Sequence, residues 1–134
     1  MNWVREDIAA LSPYVPGAQP EGTYVKLNAN ENPYAPSPAV MAALRDADGD
    51  AVRLYPDAVS TTVRDAASTA FGVSAAQVIV GNGSDDVLTM ICRSFLDPGD
   101  SIAVTDPTYT LYETLAAIQG ARAAIYPLDD AYAL

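Results

Sequence analysis

The alternation of apolar and polar positions changes character near Gly72. Before it, residues 1–17 carry one short amphipathic segment, VREDIAAL, closed by Ser12-Pro13 and Pro16-Gly17. Residues 18–38 hold an extended piece, TYVKLNAN, and then ENPYAPSP, where three prolines forbid a helix. Ser37 has the character of an N-cap and Pro38 suits a first helical position, so a helix is predicted over PAVMAALRDA. RLYPD breaks that pattern, and a second helix is expected from about Ala58 to Phe71, with Gly72 as its C-terminal cap.

After Gly72, short apolar runs alternate with helix-like stretches. QVIVGNG reads as a buried strand, SDDVLTMICRSF as a helix and LDPGD as a turn. SIAVTDP reads as a second buried strand, PTYTLYETLAAIQG as a helix ending in glycine, and ARAAIYPL as a third strand. Strand-helix-strand-helix-strand with short connections predicts an α/β fold with a parallel sheet. There is no internal repeat and no low-complexity tract. The final DDAYAL falls where such a sheet would normally continue.

Composition narrows the function. The 134 residues suffice for one domain with a core but are few for a two-domain enzyme. Seven basic against seventeen acidic residues, a net charge of −10, argue against nucleic acid and against an acidic membrane surface. Nothing approaches a membrane span, and the charged N-terminus is unlike a signal peptide, so a cytoplasmic location is expected. The single cysteine, Cys92, sits in an apolar helical pattern and reads as a buried structural thiol. Histidine is absent, which removes Ser-His-Asp triads and histidine metal sites.

The candidate chemistry centres on GNGSDD, residues 81–86. A strand running into two glycines and then a helix directs backbone N–H groups at an anion, typically a phosphate. The same residues are also compatible with a plain strand-helix turn carrying acids in the first helical turn. A dinucleotide fingerprint fails because Asp86 stands where a third glycine is needed, and no Gly-Lys completes a P-loop. Asp85 and Asp86 make a poor cation cage, since adjacent helical residues point apart, and no metal is expected. Tyr109 follows the second strand at the carboxyl edge of the sheet, where it can stack on a flat ring or pack in the core. Tyr55 in RLYPD offers a phenolic hydroxyl, and the asparagines of LNANENPYAPSP can line a polar pocket or a surface arm.

In order, LSPYVPG, KLNANENPYAPSP, RLYPD, VIVGNGSDDVL and DPTYTLY resemble the histidinol-phosphate aminotransferases, and only the first two fifths of a member is covered. The resemblance implies the N-terminal part of the aspartate-aminotransferase (fold type I) large domain. Residues 1–36 would form an N-terminal arm and 37–134 an incomplete cofactor-binding domain. It implies pyridoxal 5'-phosphate as cofactor, transfer of an amino group between glutamate and imidazole-acetol phosphate (in reverse, histidinol phosphate and 2-oxoglutarate) in histidine biosynthesis, and a homodimer. By the same resemblance Ser84 and Asp85 hold the cofactor phosphate through their amides, and Tyr109 stacks on the pyridine ring. Tyr55 reaches the partner subunit's phosphate, and Asn30 and Asn32 help close over substrate.

The family's Schiff-base lysine comes later than these residues. Lys26, the one lysine present, does not match it, so the chain is expected to be inactive alone and to contribute no catalytic residue. An aromatic aminotransferase or a threonine-phosphate decarboxylase of the same fold is the alternative enzyme. A non-catalytic partner of a full-length homologue is the alternative of another class. The family's strand order further implies that VIVG does not pair with SIAVT, leaving apolar faces uncovered; direct pairing of all three strands is the other arrangement.

Overall fold

The computed structural model describes residues 3–12, 17–18, 21–47 and 49–134. In chain order the elements are α1 (Glu6–Ala9), α2 (Pro38–Arg45), α3 (Gly49–Val52), α4 (Thr61–Phe71), a single 3-10 turn (Ala75–Gln77), α5 (Ser84–Phe95), β1 (Ser101–Asp106), α6 (Leu111–Ile118) and β2 (Arg122–Pro127). They belong to two compact units, one of Val15–Thr62 and one of Met1–Tyr14 with Val63–Leu134. The expected arm of residues 1–36 runs through parts of both. The prolines expected to close the first amphipathic segment, Pro13 and Pro16, and most of LSPYVPG lie outside the described residues.

Within the Val15–Thr62 unit, local side-chain chemistry sets the helix boundaries. Ser37 adopts an extended conformation and its hydroxyl accepts the Val40 N–H at 3.3 Å, with Pro38 beginning α2. This is the N-cap that the sequence predicts. The helix expected from Ala58 begins instead at Thr61. Asp57 explains the delay, because its carboxylate accepts the Val59 N–H at 3.1 Å and the Thr61 N–H at 2.6 Å. Ser60, at φ 51°, also breaks helical geometry just before Thr61. Residues 21–37 form no helix and no strand.

The second unit carries the sheet. β1 and β2 run parallel with Ser101 opposite Arg122 and Asp106 opposite Pro127. The ladder is prolonged at both ends, by Arg122 N–H to Asp100 O at 2.9 Å and Leu128 N–H to Asp106 O at 3.0 Å. α6 is the crossover that a parallel pair requires. It packs on both strands and on α5, burying Leu115 and Ala116 beside Cys92, Val104 and Ala121. Cys92 is thus a buried thiol, as its place in the helical pattern suggests.

Two strand expectations need correction. VIVG, extended at Val78, belongs to no sheet, and among the described residues the sheet has two strands, so the arrangement in which all three pair directly is not formed. Ile79 is 62% exposed and Val80 39%. Nor are the other strands buried throughout: in β1 only Val104 is buried, and Ile125 and Tyr126 of β2 are each about half exposed. Parallel strands are normally covered on both faces. The apolar runs encode that covering, yet a strand is completed only by neighbours, and these are not among the described residues.

Candidate functional site

The site is built where residues 78–81 turn into α5. Gly83 is the N-cap, with φ 82° and ψ 176°, a conformation essentially reserved for glycine. A Cβ at Gly83 would meet no atom within 4 Å, so the backbone angle alone demands glycine and the space above it is open. Gly81 has a different reason. A Cβ there would lie 2.9 Å from Val87 Cγ2 and 3.0 Å from both Asp86 Oδ2 and Met90 Cε. The bend is pressed against the first turns of α5.

The amides within the bend are used internally. Asn82 N–H donates to Asp86 Oδ2 at 2.9 Å, and Gly83 N–H donates to Gly81 O at 2.9 Å. The next amides, of Ser84, Asp85 and Asp86, open the helix and so have no partner within it. No side chain caps them. α5 has 12 residues, so a full set of aligned peptide dipoles backs these donors. A bare glycine bend with open space above, followed by free amides at a helix N-terminus, fits a phosphate group.

Tyr109 lies just beyond β1 and before α6, and the fold brings it to this bend. Its hydroxyl donates to the Asp85 carboxylate, 3.1 Å from Oδ1 and 3.3 Å from Oδ2. The ring stands edge-on to Tyr112, with centroids 5.8 Å apart and planes at 87°. It remains 37% exposed, so part of it is available to another flat group. The two aspartates diverge: Asp85 turns to Tyr109 and Asp86 turns back to Asn82. Each carboxylate has a donor, and together they do not form a cage for a cation.

Of the residues singled out in the sequence, Ser84, Asp85 and Tyr109 share this neighbourhood. Tyr55, Asn30 and Asn32 belong to the Val15–Thr62 unit. There the Tyr55 side chain is fully exposed. Asn30 adopts φ 51°, and Asn32 Oδ1 accepts the Tyr34 N–H at 3.0 Å, shaping the polar loop. Lys26 forms an ion pair with Glu31 of the same loop. Sequence reasoning missed two supports of the bend. Asp86 reads only as a helix-dipole acid, whereas it also fastens Asn82. Arg64, on α4, bonds the carbonyls of Ala75 and Val78, contacts across 11 and 14 residues that no local pattern signals.

Comparison with known proteins identifies the family. The family model described as aminotransferase class I and II matches residues 22–133. The histidinol-phosphate aminotransferase of Synechocystis sp. is 49% identical over 120 residues, covering 89% of this chain and 34% of its own length. That of Geotalea uraniireducens is 47% identical over 133 residues, covering 98% of this chain and 38% of its own. The crystal structure of the Sinorhizobium meliloti enzyme, a histidinol-phosphate aminotransferase in complex with pyridoxal-5'-phosphate, superposes with a TM-score of 0.70 at 29% identity. The match covers 76% of this chain and 28% of that one. The 134 residues therefore span about a third to two fifths of the length of the curated relatives they match.

Proposed function

Because the chain belongs to the class I and II aminotransferase family, we propose that it supplies the phosphate-holding corner of a pyridoxal-phosphate site. The whole enzyme built on this sequence then exchanges an amino group between histidinol phosphate and 2-oxoglutarate, a step of histidine biosynthesis in the cytoplasm. The relatives' names, at 43–49% identity, favour this substrate over an aromatic amino acid or threonine phosphate. The observation that carries the reading is the run of free amides at Ser84 and Asp85 beside the Tyr109 ring.

In this reading the Ser84 and Asp85 amides donate to a phosphate that is close to doubly charged at neutral pH, and the helix dipole adds to the attraction. Asp85 holds the Tyr109 hydroxyl, which fixes the ring against the edge of Tyr112 and leaves a face for the pyridine ring. Tyr55, projecting into solvent, reaches the phosphate of a partner subunit in a homodimer, and Asn30 and Asn32 help close over the substrate. Pyridoxal phosphate, when bound, supplies the electron sink for breaking bonds at the amino acid's α-carbon. No proton-transfer group is assigned within these residues, because Lys26, the one lysine, pairs with Glu31. We therefore expect no turnover from the 134 residues alone.

The test compares pyridoxal phosphate with pyridoxal by equilibrium titration, followed by borohydride reduction and mass spectrometry. The phosphate ester should bind more tightly, should be displaced by inorganic phosphate, and should leave no stoichiometric adduct. Equal affinities for the two aldehydes would sink the phosphate site. A one-to-one adduct on Lys26 would overturn the assignment of no catalytic group.

A further inference from the structure

Arg64 stands outside the site yet is bonded to the segment that delivers it. From α4 its guanidinium sends Nε to Ala75 O and Val78 O, both at 3.1 Å, and Nη2 to Ala75 O at 2.7 Å. These carbonyls bracket the 3-10 turn, whose start is itself fixed by a reciprocal Ser74–Gln77 capping box. Val78 O is an oxygen that a strand would pair with a neighbouring strand; here the guanidinium takes that place. The side chain is half-buried, which strengthens its bonds relative to a solvated ion.

From Val78, itself extended, three residues of chain lead to Gly81, a reach of at most about 10 Å at 3.3 Å per residue. No ladder holds this link among the described residues. Its two ends are fixed, by Arg64 at Val78 and by the close packing of Gly81 on Val87 and Met90 at the bend. With one end freed, the link can pivot about the other, and the glycine bend loses its defined approach to α5.

We propose that Arg64 is a positioning residue for the bend, setting the place of the Ser84 and Asp85 amides through Val78 without touching the ligand. Its effect on cofactor affinity rests on the phosphate reading above; its effect on the bend does not. The planar fork is essential, because it serves two carbonyls at once, which the single ammonium of lysine on its flexible stem does not reproduce.

The experiment uses the 134-residue chain with Arg64→Lys, which keeps the charge, and Arg64→Met, which loses charge and fork together. Each is titrated with pyridoxal phosphate and with pyridoxal, and amide hydrogen exchange is followed along the chain. Both variants should bind pyridoxal phosphate about tenfold more weakly, the scale of one lost charged hydrogen bond, with pyridoxal unaffected. Exchange should quicken over residues 78–83 while α5 beyond Val87 and α6 keep their protection. Wild-type exchange over 78–83 in Arg64→Lys overturns the proposal, since charge alone would then suffice. Equal loss of protection in α5 and α6 also overturns it, by showing a general stabilising role. If the unmodified chain does not prefer pyridoxal phosphate to pyridoxal, the phosphate reading fails, and the exchange pattern still decides the role of Arg64.

Discussion

The two glycines of the bend give a sharp test of the geometry, because alanine should fail at each for a different reason. At Gly83 an added Cβ touches nothing, but φ 82° with ψ 176° is closed to L side chains. Holding alanine there costs about 1–3 kcal/mol. At Gly81 the backbone is permissive, yet the Cβ would lie 2.9 Å from Val87 Cγ2. Overpacking of this kind also costs about 1–3 kcal/mol. Equal losses therefore come from separable causes, and a second substitution separates them. Val87→Ala removes the methyl nearest to Gly81 and should restore much of what Gly81→Ala loses, once the loss from Val87→Ala alone is subtracted. It should do nothing for Gly83→Ala. The assay is pyridoxal phosphate affinity with thermal unfolding in parallel, read as two double-mutant cycles. Each glycine variant alone should weaken binding about 5- to 150-fold, the equivalent of 1–3 kcal/mol. Rescue of Gly83→Ala by Val87→Ala, or wild-type affinity in Gly83→Ala, would refute the account of the bend.

Other substitutions probe the parts around it. Tyr109→Phe removes the hydroxyl that bonds Asp85 but keeps the ring, so pyridoxal affinity should hold while stability falls by about 0.5–1.5 kcal/mol in denaturant melts. Leu115→Ala removes a buried side chain at the packing of α6 on the sheet and should cost about 2–5 kcal/mol, measured as a lower unfolding midpoint. Ser37→Ala deletes the N-cap of α2 and should lower the stability of that helix by about 1 kcal/mol, seen as faster amide exchange over residues 39–42.

What could be read from the sequence was what depends on near neighbours. α5 has the bounds of SDDVLTMICRSF, and Ser37 with Pro38 opens α2, because caps and helical turns are closed by residues three or four positions away. α4 starts at Thr61, three positions after the Ala58 that the sequence suggests, since Asp57 captures the Val59 and Thr61 amides, a side-chain choice that competes with the helix. VIVG was misread for another reason. Its composition is that of a strand, but strand formation is decided by a partner chain segment, and sequence alone does not say whether one is present. The bend was legible as Gly-x-Gly before a helix. That Asp85 would meet Tyr109, 24 residues away, followed from the parallel crossover rather than from either residue.

The open edges of the sheet make the state of this polypeptide in a test tube depend on its concentration. β1 and β2 each have one strand neighbour among the described residues, and residues 78–81 have none. The outer edges of β1 and β2, with Ile125 and Tyr126, and the exposed Ile79 and Val80 between the bonded Val78 and Gly81, are a template on which a second molecule can dock. Dilute samples and solubilising fusion partners are therefore the conditions under which its own chemistry, rather than its self-association, is seen.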